Sequence, residues 1–352
     1  MSTASTVPAR VLESPTSDDR LIWDVWLSRL HFPALTVADE LGVFPLLAQS
    51  PATAKELASL LTLEPRGTEA LLGILAALGF LVQHQGGFHL TDVSRNYLLP
   101  ASPYYYGSVL RIFRERPLTH AALRAALRGE QSYLDENLGD VTDTLAAGNV
   151  SPAQAELFTH MMHNYSLPAA TGVARWGDFT GVQRLLDVAG GSGCFCIALA
   201  LRHPQMRLTV LELPTVCRVT QHYVATYGLE DQITTLAANM FTDAWPEGYD
   251  AVFISNVLHM FDRGSCLHLT RRAFEALPPG GRIYLHEMLL NETKDGPLAA
   301  ANFSLFAFAT SGQGKQYSAS ELADFLKEAG FTEIVVTPTY AYYSLVRALK
   351  PA

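Results

Sequence analysis

The residues from Asp187 to Gly193 (Asp-Val-Ala-Gly-Gly-Ser-Gly) have the types and spacing to cradle a polar cofactor. The apolar run that ends in Asp187 reads as a strand, and Cys194 to Leu201 is apolar enough to be a packed helix. Between them, Gly190, Gly191 and Gly193 let the backbone approach a ligand, while the helix start offers unpaired N–H donors. Glu212 lies near the end of a second β-rich run, Arg207 to Leu213, at a spacing where an acid accepts hydrogen bonds from ribose hydroxyls. Asn239, Met240 and Phe241 follow a third such run. A fourth, Tyr249 to Ser255, leads straight into Asn256 and His259, and Gly281 to Glu287 ends in a further acid. The glycine spacing is not the dinucleotide fingerprint, and no Gly-Lys-Ser/Thr follows to make a P-loop.

Positioning these groups requires a sheet whose strands end on one side. Strand–helix alternation from Gly181 onward predicts an α/β, Rossmann-like doubly wound sheet, which binds ligands at the C-terminal ends of its strands. The glycine loop, Glu212, Asn239, His259 and Glu287 all fall at such ends. A helix is expected over Ala319 to Ala329, with final strands over Thr332 to Thr337 and Tyr342 to Ala348. Upstream, Glu156 to Tyr165 reads as a helix presenting Phe158, His160, Met161, Met162 and His163, a set that either lines a pocket or packs a core. One Arg-bearing helix is expected over Arg111 to Arg128, and Ser132 to Asn149 is turn-rich.

The N-terminal part carries a different pattern. Leu21 to Leu30 and Phe32 to Leu47 place apolar residues at helical spacing, more densely than one small domain needs, and so predict a homodimer interface. Thr53 to Leu61 and Pro65 to Gly79 then read as helices. Phe80 to Val82 and Phe88 to Leu90 read as short strands joined by a Gln85-Gly86-Gly87 turn, a winged-helix-like order. Such a unit can enter a DNA groove, but the second helix offers Arg66, Glu69 and Gly73 rather than a row of base-reading side chains. A net charge of −9 further disfavours nucleic acid, and the unit is read as an assembly element.

With 352 residues, 49% hydrophobic and 17% charged, the chain can bury two cores. The four cysteines show no metal-ligand spacing, so no metal is expected, and a reducing cytoplasm fits them. The first residues are polar and rich in Ser, Thr and Pro, unlike a signal peptide, and no apolar run is long enough to span a bilayer. The expected domains are a disordered 1–18, a dimerisation domain over 19–100, a helical linker and substrate-pocket region over 101–178, and a cofactor-binding catalytic domain over 179–352.

Taken together, these residues resemble the class I S-adenosylmethionine-dependent small-molecule O-methyltransferases, a group with plant caffeate/flavonoid, acetylserotonin and bacterial antibiotic-tailoring members. The likeness runs from about Leu21 to the C-terminus. DVAGGSG resembles the family's D-V-G-G-G-x-G loop with Ala189 for the first glycine, and LELP its L-D-L-P with Glu212 as the acid. NVLHMFD aligns with its L-H-D-W segment, PPGGRIYLHE with its P-G-G-x-[LIV]-x-[LIV]-x-E, and GKQYSASELADFLKEAGF with its tail.

The resemblance implies S-adenosylmethionine as methyl donor, S-adenosylhomocysteine as product, and an intertwined homodimer. It implies cofactor contacts from Asp187, Gly190, Gly191, Gly193, Glu212, Leu213, Asn239, Met240, Phe241, Ser255 and Asn256. It places Phe158, Met161, Met162, Phe303, Phe306, Ala307 and Ser311 at a small, aromatic or polyketide-like acceptor. His259 would be the general base and Glu287 its orienting partner, with Gln316 supporting the same histidine. Departures stand at Gln316, where the family often has a second glutamate, and at Tyr317, where it has arginine. Met260 and Phe261 replace Asp-Trp, and Asn239, replacing an aspartate, keeps a carbonyl to offer an adenine amino group. These departures leave carbon methylation, or use of the cofactor without methyl transfer (hydroxylation, decarboxylation, pericyclic steps), as alternatives.

Overall fold

The structure, a computed structural model, describes residues 14–130 and 150–352. The expectations for residues 1–13 and 131–149 lie outside the described residues. Two compact units divide at Ser102 and Pro103.

The first unit begins with helices Arg20–Ser28, His31–Glu40 and Val43–Gln49. The run expected as one helix from Phe32 breaks at Leu41-Gly42. Helices Ala54–Leu60 and Pro65–Ala77 follow, then strands β1 (Leu81–His84) and β2 (Gly87–Leu90) and helix Asp92–Tyr97. Local chemistry sets these boundaries. Thr53 and Glu56 form a reciprocal capping box, and Glu64 caps a helix that starts on Pro65. Phe44, Leu47, Leu57, Leu72, Leu75 and Leu81 are buried at its centre. Helix Arg20–Ser28 buries nothing, and Leu21, Ile22, Trp23, Val25, Trp26 and Leu27 all stand exposed.

The second unit is built on a seven-stranded sheet in the order β5-β4-β3-β6-β7-β9-β8. Its strands are β3 (Arg184–Val188), β4 (Arg207–Glu212), β5 (Ile233–Ala237), β6 (Ala251–Ser255), β7 (Arg282–Met288), β8 (Thr332–Tyr340) and β9 (Tyr343–Leu349). All neighbours pair parallel except at β9, which runs antiparallel to β7 and β8. Chain order runs outward from β3 to β5 and then resumes at β6 on the other side, so the topological switch lies between β3 and β6.

Side chains alternate across this sheet. Leu185, Val210, Phe253 and Tyr284 enter one core with helices Pro152–Trp176 and Cys194–Arg202. Leu186, Leu211, Val252, Ile254 and Leu285 enter the other with Arg263–Ala276 and Ala319–Ala329.

Three elements differ from the sequence reading. The helix expected over Arg111 to Arg128 is two, Gly107–Glu115 and His120–Leu127. Pro117 excludes helical geometry at Arg116, which takes φ −131° and ψ 69°, and Thr119 caps the restart. The helix expected over Glu156 to Tyr165 runs through Pro152–Trp176, started by a Ser151–Gln154 capping box with Pro152 in its first turn. Strand β8 continues past Thr337 to Tyr340, and as an edge strand it tolerates Pro338. Among the described residues no single helix is long and apolar enough to cross a membrane. The pair Arg20–Glu40 and Val43–Gln49 has the composition only together and is bent by 59°.

Candidate active site

The C-terminal ends of β3, β4, β6 and β7 bring the predicted polar residues to one edge. Asp187 is fully buried beneath the glycine turn, where a Cβ at Gly190 would lie 2.5 Å from its carboxylate. Cys196 Sγ donates to Asp187 Oδ2 at 3.3 Å, while Oδ1 has no partner. Burial, countered in part by that thiol, pushes the Asp187 carboxyl up to about 7. Gly191 sits at φ +55° with open space where a Cβ would point, so the backbone there is bare toward a ligand. Ala189 adopts φ +55° as well, a left-handed conformation in which its own Cβ is strained.

Glu212 reaches across to the same turn. Gly191 N–H donates to its Oε2 at 3.1 Å and Leu213 N–H to its Oε1 at 2.8 Å. Its carboxyl is raised by burial against those two backbone bonds. After β5, Asn239 Oδ1 accepts the Phe241 N–H at 2.8 Å. That carbonyl, expected to meet an adenine amino group, keeps a second lone pair beside this turn. Met240 O takes bonds from Trp245 and Arg272, and Phe241 packs edge-on to Phe261 at 5.0 Å. Ser255 Oγ lies 2.9 Å from His286 Nδ1, inside the sheet, and Asn256, at φ +56°, keeps a buried Nδ2 without a partner.

Past Asn256 a short 3-10 turn, Leu258–Met260, carries His259. His259 Nδ1 lies 2.7 Å from Glu287 Oε2, both side chains being buried. The other oxygen, Oε1, accepts the N–H groups of Val257 and Leu258 at 3.0 and 2.9 Å. A carboxylate at this distance only accepts, so the contact favours, for a neutral imidazole, the tautomer with its proton on Nδ1. Gly314 passes so close that a Cβ there would meet His259 O at 2.3 Å. Tyr317, buried, donates to Phe261 O at 2.8 Å and so braces the same turn from behind.

Gln316 is buried with both amide atoms unpartnered, and it forms no bond to His259. Its backbone N–H instead donates to Ser304 Oγ. Ser311 Oγ donates to Ala307 O at 2.8 Å and accepts from Gly314 N–H at 2.7 Å, which ties Ser311 to the turn. Ala307 is buried in its helix. Phe303 faces His259 edge-on at 5.3 Å, and Phe306 packs on Phe303 and on Phe113, which the sequence reading did not single out. Phe158 is 41% exposed, whereas Met161 is buried and Met162 half-buried on the same helix. Sequence reasoning also missed two residues of helix Pro214–Thr226, Thr220, which donates to Gly191 O, and Tyr223, which stacks on His163, because nothing in their spacing marks them.

Cofactor fit can be judged from these atoms. The bare turn at Gly191, the helix start at Cys194 and the Glu212 carboxylate supply donors and acceptors suited to amino-acid and ribose groups. Unpartnered buried atoms on Asp187, Asn256 and Gln316 mark strand ends and a loop where a ligand would complete the bonding. These residues fit S-adenosylmethionine. Among the described residues no cluster of His, Cys, Asp and Glu has the make-up of a metal site.

Comparison with known proteins agrees. The O-methyltransferase domain model matches residues 121–332, and the O-methyltransferase dimerisation domain model matches residues 23–100. The chain is 34% identical over 300 residues to the 3-hydroxy-5-methyl-1-naphthoate 3-O-methyltransferase of Streptomyces sahachiroi, covering 85% of this chain and 86% of that one. It is 28% identical to the L-tyrosine C(3)-methyltransferase of Streptomyces lavendulae, covering 91% and 88%. Human N-acetylserotonin methyltransferase, solved with S-adenosylmethionine, superposes with a TM-score of 0.80 at 26% identity over 97% of this chain and all of that one. The chain belongs to the O-methyltransferase family and is an S-adenosylmethionine-dependent enzyme that methylates small molecules.

Proposed function

We propose that this enzyme transfers a methyl group to a hydroxyl of a small aromatic or polyketide-like metabolite, with His259 as the general base. The observation that carries the reading is the bond between His259 Nδ1 and Glu287 Oε2, together with the two backbone N–H groups that fix Glu287. They hold the imidazole in the tautomer that leaves Nε2 basic. When bound, S-adenosylmethionine supplies an electrophilic methyl on a sulfonium. Nε2 would take the acceptor's hydroxyl proton, so that the oxygen can accept the methyl as its S–C bond breaks and S-adenosylhomocysteine leaves as the neutral thioether, and the Glu287 carboxylate would stabilise the imidazolium that results. Phe303 and Phe306 give the acceptor a flat apolar wall, which excludes water and orients the oxygen. The naphthoate O-methyltransferase relative acts on an aromatic acceptor, which supports this class.

In this reading Asp187, the glycines, Glu212 and Asn256 hold the cofactor, and residues 101–178 contribute the acceptor wall through Met161 and Met162. Residues 19–100 assemble the homodimer, for which the matched dimerisation domain and the exposed face of helix Arg20–Ser28 argue. The free, buried thiols of Cys194, Cys196, Cys217 and Cys266 suit a reducing cytoplasm.

A second reading, carbon methylation, is favoured by the tyrosine C(3)-methyltransferase relative and by the uncharged, unbonded Gln316 near the base. Incubation with carbon-13 methyl-labelled cofactor and a panel of phenols and hydroxynaphthoates, read by NMR, separates the two. An O-methyl resonance is expected, and a C-methyl product would overturn the oxygen assignment.

A further inference from the structure

The glycine loop is held from a direction that its motif does not announce. His163 is buried on helix Pro152–Trp176, with Nδ1 2.8 Å from Ser192 Oγ, inside the loop itself. The imidazole lies flat on the Tyr223 ring, 3.7 Å between centroids and 12° between planes. Tyr223 OH in turn meets His160 Nδ1 at 2.6 Å. On helix Pro214–Thr226, Tyr223 follows Thr220 by one turn, and Thr220 Oγ1 donates to Gly191 O at 2.6 Å. That helix therefore grips the loop twice, directly at Gly191 and through His163 at Ser192. Burial depresses His163 to about 4, so the ring is neutral at physiological pH and sets no positive charge beside a site for a sulfonium.

We infer that His163 is a positioning residue for the cofactor: through Ser192 it holds the Gly190–Gly193 loop in the shape that receives S-adenosylmethionine, and it joins the helix bearing Met161 and Met162 to that loop. The inference rests on the assignment of this loop to the cofactor. The Ser192 hydroxyl sits between two glycines and also meets the Cys194 side chain, and the hydrogen bond to His163 is its tie to helix Pro152–Trp176. His163→Phe keeps a ring to stack on Tyr223 and removes both ring nitrogens, with a slightly larger ring in their place. Ser192→Ala removes the other end of the same bond. Changes at two ends of one bond lose it once, so their effects overlap instead of adding.

The test is calorimetric titration of S-adenosylhomocysteine into the full-length wild type, His163→Phe, Ser192→Ala, their double variant, His163→Gln and Glu212→Ala. Each single loop-link variant is expected to bind about tenfold more weakly, the worth of one buried hydrogen bond. The double variant should be no weaker than the weaker single, and His163→Gln, which can still bond Ser192, should recover part of the loss. A packing role alone would lower the thermal midpoint of His163→Phe without this overlap or recovery. Affinities of His163→Phe and Ser192→Ala within twofold of wild type, or losses that add, would overturn the inference while Glu212→Ala still binds weakly. If Glu212→Ala also binds normally, the loop assignment itself fails. Should His163→Phe not fold, Ser192→Ala and His163→Gln still decide it: weak binding in the first with partial recovery in the second supports the link, and normal binding in the first overturns it.

Discussion

Glu287 is the residue on which the chemistry of this site turns, because one of its oxygens orients His259 and the other fastens the turn that carries it. Glu287→Gln replaces one acceptor oxygen with an amide donor, so either the backbone bonds are lost or the amide donates to Nδ1 and imposes the tautomer whose Nε2 is already protonated. We expect kcat to fall by about 100-fold with S-adenosylhomocysteine affinity unchanged, as read by steady-state kinetics and calorimetry. At this scale the sequence was informative where an acid or histidine closed an apolar run, as with Glu212, His259 and Glu287. It was silent on which lone pairs were already engaged. Asn239 Oδ1 serves Phe241, and Ser311 Oγ serves Gly314, because short polar side chains at turns bond their nearest backbone first. Gln316 aligns with a supporting glutamate, yet its amide meets no partner. Alignment gives position along the chain and not the direction of the side chain.

The strands on either side of β6 carry opposed titrations. Asp187 ends β3 in full burial and is raised to about 7, so the folded state binds its proton more tightly than the unfolded chain does. Its contribution to stability is full below the ordinary carboxylate range and is lost as pH rises toward about 7. His286 on β7, between Ser255 and Thr339, is depressed by burial to about 3, so its contribution runs the other way, growing as pH rises from about 3 to the ordinary histidine range. Asp187→Asn should therefore gain stability relative to wild type between pH 4 and 8, by a few kcal/mol on the order set by the shift, in urea unfolding at fixed salt. A difference independent of pH would contradict the buried protonation. Strand–helix alternation made these elements legible, since period-2 and period-3.6 burial leave distinct patterns. Their ends were less so: Pro117 splits one expected helix, while the Ser151–Gln154 box lengthens another.

At the level of the whole molecule, the N-terminal unit leaves Trp23, Trp26, Leu21 and Ile22 exposed on a helix with no buried residue. A patch of this kind marks an interaction surface, and the matched dimerisation domain supports a second copy of the chain as its partner. Trp23→Asp with Trp26→Asp should halve the sedimenting mass in analytical ultracentrifugation, and an unchanged mass would move the interface elsewhere. The excess of apolar residues in Leu21 to Leu47 made assembly readable from sequence alone. How the copies meet was not readable, because helical spacing names a sticky face and not its partner.

The central claim is that His259 removes the acceptor's proton, and one comparison tests it most directly. Single-turnover methyl transfer from labelled S-adenosylmethionine to the free hydroxyl of a phenolic acceptor is measured for wild type and His259→Ala, beside S-adenosylhomocysteine affinity for both. A loss of at least 100-fold is expected in the variant, with affinity kept within about twofold. Methyl transfer at the wild-type rate in His259→Ala would contradict it and remove the histidine from the mechanism.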